Sequence, residues 1–354
     1  RRLQNGERSI SLARAITDWF RPQLIVEKHG SYGISKTKTK NPKAISDLLS
    51  IDFRGCPVTD LQFLVPEIKE IEDTQFLTTL ARELRESIQY GVDVALQISS
   101  FKNPILRYSC GIKSIEYRGE EDPDEYSRGF SSIVKLLHTV VDRIGTIHKQ
   151  SRVQFLKRWR DESDSLSVRF WASFASKWEE VSSNEIGEFL LQLDHFQFWE
   201  TRYYPEIAEL QTNHFAQLAQ KTQNALWSRI RKLPPKSIFP RSSDPLQIIE
   251  SRNYSAFLVT KRIAKQGIIL PSLQLKWLEK VLEIYPRFKD ITIATNFYEK
   301  SVSAYYDKPI PNKDFDVSNG NNRLSAIEKA LTKSDSVDSA IDWMNYKKNI
   351  LLLI

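Results

Sequence analysis

A chain of 354 residues with 41% hydrophobic and 27% charged side chains can bury substantial cores beneath a charged surface, which excludes a disordered polymer. No stretch approaches the roughly 18 apolar residues of a transmembrane helix. The net charge of +7 is uneven, because residues 229–290 hold 13 Lys/Arg against 5 Asp/Glu, a surplus of +8.

Glycine is scarce at 12 residues, which disfavours sheets rich in tight turns and favours helices. The chain opens with "RRLQ", and its one methionine is Met344, so either a removed leader or a piece of a longer polypeptide is expected. The closing "NILLLI" suits the start of a buried element. Cys56 and Cys110 form no CxxC pair and are expected to be reduced and inert, as in a cytoplasmic protein. With two thiols and scattered histidines, no structural zinc is expected, nor any other metal or cofactor.

In chain order, "ISLARAITDWF" forms one amphipathic helix, and "RPQLIVEKHG" reads as a short strand or a second helix. "SYGISKTKTKNPK" is a polar loop whose lysines are solvated, and "CPVTDLQFLVPE" shows no clear period. Leu77, Leu80, Ala81, Leu84 and Ile88 make a helical stripe that Gly91 should stop. Residues 94–119 are ambiguous, with short strands open at "VALQISS" and "IKSIEY". An acidic loop, "RGEEDPDEYSRG", marks a boundary.

Beyond it the helical reading strengthens. Ile133, Leu136, Leu137, Val140, Val141, Ile144 and Ile147 share a face, and so do Trp171, Phe174, Ala175 and Trp178. The latter stripe resembles a cofactor-stacking box less than it resembles core. Ser182 and Glu185 are spaced as a capping box ahead of Ile186, Phe189, Leu190 and Leu193. Pro205 can open the next helix. "RKLPPKSIFPRSSDP" is a break, Ser243 or Asp244 caps a helix ended by Gly267, and Pro271 opens the helix "SLQLKWLEKVLEIY". The expected fold is mainly α, an irregular, solenoid-like array of helical hairpins with a small mixed α/β portion before residue 120. Three parts are expected: an irregular or helical portion over 1–120, the array over 121–305, and a polar loop with short terminal helices over 306–354.

"LDHFQFWETRYYPE", residues 193–206, is the stretch that most resembles chemistry. Asp194, His195, Arg202, Glu206 and the later His214 could form a ligand cluster if the two histidines converge. Adjacent positions on a helix diverge by about 100°, so Asp194 and His195 alone make no relay. The preferred reading is a structural seam, with Asp194, Glu200, Arg202 and Glu206 as surface ion pairs and Trp199, Tyr203 and Tyr204 as packers. No phosphate-cradling loop, dinucleotide fingerprint, HExxH, GxSxG or EF-hand loop occurs, so no catalytic residue is assigned. His138 and His148 are too far apart on their helix to share a metal.

The basic stretch offers Arg229, Arg231, Lys232, Lys236, Arg241, Lys261, Arg262 and Lys265 for nucleic acid or an acidic protein, with Trp227 and Tyr254 as stacking partners. Against this, basic residues in a last helical turn offset the macrodipole.

"FLLQLDHFQFWETRYYPEIAEL", with Gly267, Leu270, Pro271, Trp277, Leu278 and Glu279 further on, resembles the long helical regions of large bacterial antiviral proteins. These are the STAND-type NTPases and their sirtuin-like relatives, which such regions follow in the chain, and the likeness spans residues 130–290. It implies a cytoplasmic defence protein in which this portion recognises a phage component or holds the assembly together. Enzymatic modules would lie outside this chain. Its expected partners are a protein or the parent chain's other modules, or alternatively nucleic acid, with no membrane.

Overall fold

The computed structural model describes residues 1–28, 49–57, 60–98, 112, 129–201, 203–239 and 244–291. The chain divides into a unit Arg1–Glu299 and a second, Lys300–Ile354, which lies outside the described residues together with the readings made for 306–354. The "SKTKTK" loop, the strand reading at "IKSIEY" beyond Ile112 and most of the acidic loop also lie outside them.

The first unit is mainly α. Among the described residues it holds twelve α-helices and one two-stranded sheet. Helix α1 (Ile10–Phe20) is capped by Ser9, whose hydroxyl accepts from the Leu12 amide. Strands β1 (Gln23–Lys28) and β2 (Leu49–Arg54) pair antiparallel, with Gln23 opposite Arg54 and Lys28 opposite Leu49. The strand alternative for "QLIVEK" therefore holds, and the mixed portion precedes residue 120.

Helix α2 (Leu61–Glu70) forms where no period was seen. Its stripe is Leu61, Val65 and Ile68, all buried, and Pro66 sits within the helix at the loss of one backbone hydrogen bond. Helix α3 (Thr74–Ile98) runs straight through Gly91. A Cβ at Gly91 would lie 2.8 Å from the Phe130 ring, so this glycine permits close packing instead of ending a helix. The same extension makes residues 94–98 helical, which overturns the strand reading there.

Two helices occupy the centre. Nearly every residue of α4 (Ser131–Ile147) between Ser131 and Gly145 is buried, and so is nearly all of α6 (Ser165–Ala175). Helices buried on all sides belong in an interior. Helix α5 (Lys149–Asp161) packs on both, and the rings of Trp159, Trp178 and His138 each stack against Phe174 between them. The "RFWASFASKW" stripe is thus core, although the helix ends at Ala175 and Trp178 follows it.

Helix α7 (Ser183–Gln192) has its capping box, with both reciprocal bonds between Ser182 and Glu185 formed. After it come α8 (His195–Trp199), α9 (Pro205–His214) with Pro205 in its first turn, and α10 (Gln220–Arg231). Helix α11 (Pro245–Lys265) is capped by Asp244, and Gly267 follows it with φ +79°. Helix α12 (Ser272–Ile284) starts one residue after Pro271.

Packing advances with the sequence. Helix α3 lies on α4, α4 on α5, α5 on α6, α6 on α9, α9 on α11, and α11 on α12. One continuous apolar core runs from Leu3 to Ile263, and Phe130 joins Phe53 of β2 to it at a ring separation of 5.4 Å.

Candidate functional site

The stretch 193–206 resolves into two structural devices. The first is a second capping box. Asp194 accepts from the Gln197 amide at 2.7 Å while Gln197 accepts from the Asp194 amide at 3.1 Å, which starts α8 one turn after α7 stops. The D-x-x-Q spacing carried this signal, and the sequence reading passed over it.

Arg229, reaching across from α10, closes the same joint. Its guanidinium lies 4.0 Å from the centre of the Phe198 ring and donates to the carbonyls of Leu190, Leu193 and Asp194. Leu190 and Leu193 belong to the end of α7, where carbonyls lack helical partners, whereas the Asp194 carbonyl also accepts from the Phe198 amide in the first turn of α8. Burial pulls the Arg229 pKa down, against the opposing pull of the Asp194 carboxylate. A side chain offered to nucleic acid on sequence grounds is thus engaged inside the fold.

The second device is an ion pair. Glu206, in the first turn of α9, was read as part of a surface cluster, yet its side chain is 0% exposed. It receives two bonds of 2.8 Å from Arg169 of α6, which is equally buried. The Ile112 amide donates to the same carboxylate at 3.4 Å. Paired this way, the carboxylate has its charge matched and its lone pairs used, which is what a buried charge requires. Beside it, Tyr204 is buried and its hydroxyl pKa is raised, chiefly by desolvation. Sequence reasoning missed Arg169 because an arginine within an aromatic run carries no signal of its partner.

The five residues of the possible ligand cluster therefore divide. Asp194 caps α8, and His195 is exposed at the start of that helix. Glu206 is committed to Arg169, and Arg202 lies outside the described residues. His214 is half-buried, with its ring nitrogens 3.3 Å from the Ser176 carbonyl and 3.3 Å from the Gln217 side chain. No group of three potential metal ligands occurs among the described residues.

Of the remaining basic residues, Arg231 donates to Gln274 at 3.4 Å and Lys261 sits 5.7 Å from the Phe257 ring. Arg262 is half-buried, Lys232, Lys236 and Lys265 are exposed, and Arg241 lies outside the described residues. Trp227 is buried against Phe215.

A pocket of about 240 Å³ opens between α5, α6 and α7, over Leu156 and Trp171, and no Ser, Cys or His lines it. Arg160 stacks over Trp171 and Phe189 on its wall and bonds to Gln192, while Glu185 and Glu188 oppose its charge.

The α11–α12 end is built differently from the interior. Of the thirteen residues of α12, only Gln274 and Val281 are buried. Gln274 donates to Thr260 at 2.8 Å and accepts from Arg231, tying α10, α11 and α12 together through one amide. On the outside, Ile269 is 92%, Leu273 65% and Ile284 56% exposed. No helix among the described residues is long and apolar enough to cross a membrane.

No protein-family model, no curated protein and no solved structure matches the chain.

Proposed function

We propose that this chain is a non-catalytic helical interaction and sensing region of a larger multidomain protein, and that the α11–α12 end receives a protein partner. The under-buried α12 carries this reading. A terminal layer of a helical array keeps its outer face polar when only water lies beyond it. Here, among the described residues, Leu273 and Ile284 of α12 stand out instead, with Ile269 just before it, and only Gln274 and Val281 of the helix are buried. The likeness to bacterial antiviral proteins supports a phage component as that partner.

The alternative, a basic nucleic-acid-binding module, is served less well. Arg229 is spent on carbonyls at the α7–α8 joint, and of the basic residues offered only Lys232, Lys236 and Lys265 are exposed among the described residues.

The test is crosslinking in phage-infected and uninfected bacterial cells, with a photoreactive side chain at Leu273 or, as control, at Arg14. The reading expects a protein adduct from position 273, in infected cells, that the double variant Leu273→Asp/Ile284→Asp no longer forms at a neighbouring crosslinker. An adduct from position 14 alone, or an RNA or DNA adduct, would sink it.

A further inference from the structure

Helix α11 carries two apolar stripes that serve different cores. Ala256, Val259 and Ile263, at i, i+3 and i+7, belong to the continuous core that begins at Leu3. Phe257 stands about 100° round the helix from Ala256, with Tyr254 one turn before it on the same side. Among the described residues, Phe257 clusters instead with Val281 of α12 and Phe288 of the 3-10 turn Pro286–Asp290. The helix therefore stands between a large interior core and a small outer one.

The outer layer returns antiparallel along α11 and is fastened at points spread over its length. Near its start, the buried Gln274 donates to Thr260 at 2.8 Å. Val281 and Phe257 share the small core midway. At the far end, Phe288 lies 5.4 Å from the Tyr254 ring and 5.2 Å from the Phe257 ring, and Arg287 pairs with Glu250. Trp277, half-buried, packs against both cores.

Little apolar surface holds this layer in place. Between residues 272 and 290, Val281 and Phe288 are the buried hydrophobic side chains, whereas nearly all of α4 is buried. Segments with few buried apolar contacts open at lower free energy than the core. Lifting the layer would leave Ala256, Val259 and Ile263 against the interior, so the interior need not unfold with it.

We infer that α12 and the turn Pro286–Asp290 open from α11 as one cooperative layer while the interior stays folded. Opening bares Phe257 and Val281 and releases the Gln274 amide. The inference goes beyond the interaction reading and stands or falls without it, because it rests on the division of the core at α11.

The test is amide hydrogen exchange of the full chain, read on peptides by mass spectrometry below the urea unfolding transition. Peptides from α12 are expected to exchange at least about a hundredfold faster than those from α4 and α6, with both halves of α12 at one common rate. Phe288→Ala, beyond the end of the helix, should speed exchange of residues 274–280 and 281–285 alike, by about tenfold or more. Exchange in α4 should stay within about twofold of wild type.

The wild-type pattern decides by itself if the variant fails to fold. Protection of α12 equal to that of α4, or exchange that spreads from one end of α12 inward, would overturn the inference. So would a Phe288→Ala effect confined to the turn, or one shared equally by α4.

Discussion

Arg169 of α6 and Glu206 of α9 meet through two parallel bonds of 2.8 Å, with neither side chain exposed. Each charge has lost its water, and each depends on the other for compensation. Removing one partner costs far more than the pair contributes over a well-packed apolar replacement.

Glu206→Gln is therefore expected to lower unfolding stability by about 3–5 kcal/mol in urea titration, because a buried guanidinium is left uncompensated. The double variant Arg169→Met/Glu206→Leu should recover most of that loss. A loss below about 1 kcal/mol for the single variant would mean that water reaches the pair.

Arg229 provides a contrast with its basic neighbours. Arg229→Ala should cost about 1.5–3 kcal/mol, since three backbone carbonyls lose a charged donor and Phe198 loses its stacked cation. Lys232→Ala, on an exposed position one turn on, should stay within about 0.5 kcal/mol. Equal effects in thermal melts would contradict the clamp. It follows that charge reversal at Arg229 is a poor test of nucleic-acid binding, and Lys232, Lys236 and Lys265 are the residues to reverse.

Gly91 and Gly145 test close packing against helix propensity. Alanine in an exposed helix would stabilise by about 1 kcal/mol over glycine. At Gly91 the new methyl would lie 2.8 Å from Phe130, and at Gly145 it would lie 2.6 Å from the Trp178 ring. Both substitutions are expected to destabilise by about 1–3 kcal/mol instead. A rise in melting temperature for Gly145→Ala would show that Trp178 yields freely.

The α7 capping box makes a pH prediction. The Ser182 hydroxyl and amide hold the Glu185 carboxylate below its ordinary pKa. A lowered folded-state pKa gives stability that is present above the ordinary carboxylate range and lost as pH falls through the lowered value. Ser182→Ala should cost about 1 kcal/mol at neutral pH. The gap between wild type and variant should narrow on acidification, and a constant gap would detach it from Glu185.

Cys56 should be a poor nucleophile. Desolvation first, then its 2.8 Å bond to the Asp60 carboxylate, push its thiol up to about 12. In a Cys110→Ser background, disulfide-reagent labelling at pH 8 should be slow and rise about tenfold per pH unit. Asp60→Asn removes the negative charge and should speed labelling. Rapid labelling of the Cys110→Ser protein would contradict the raised thiol pKa of this half-buried residue.

What the sequence could decide by itself was whatever depends on neighbours within a turn or two. The Ser182–Glu185 spacing, the cap before Pro245 and the ridge Ile133–Leu137–Val140–Ile144 are local, so the mainly α architecture was legible from them. The Asp194–Gln197 box was equally local and simply unread, as was the Leu61–Val65–Ile68 period obscured by prolines. Tertiary structure alone decided the rest. Gly91 reads as a helix stop until Phe130 is seen against it, and Glu206 reads as a surface acid until Arg169, 37 residues earlier, is placed beside it. Arg229 reads as a free cation until the end of α7 arrives under its guanidinium. In each case the deciding term is burial against a partner distant in sequence, and burial sets whether a charge binds outward to a ligand or inward to the fold.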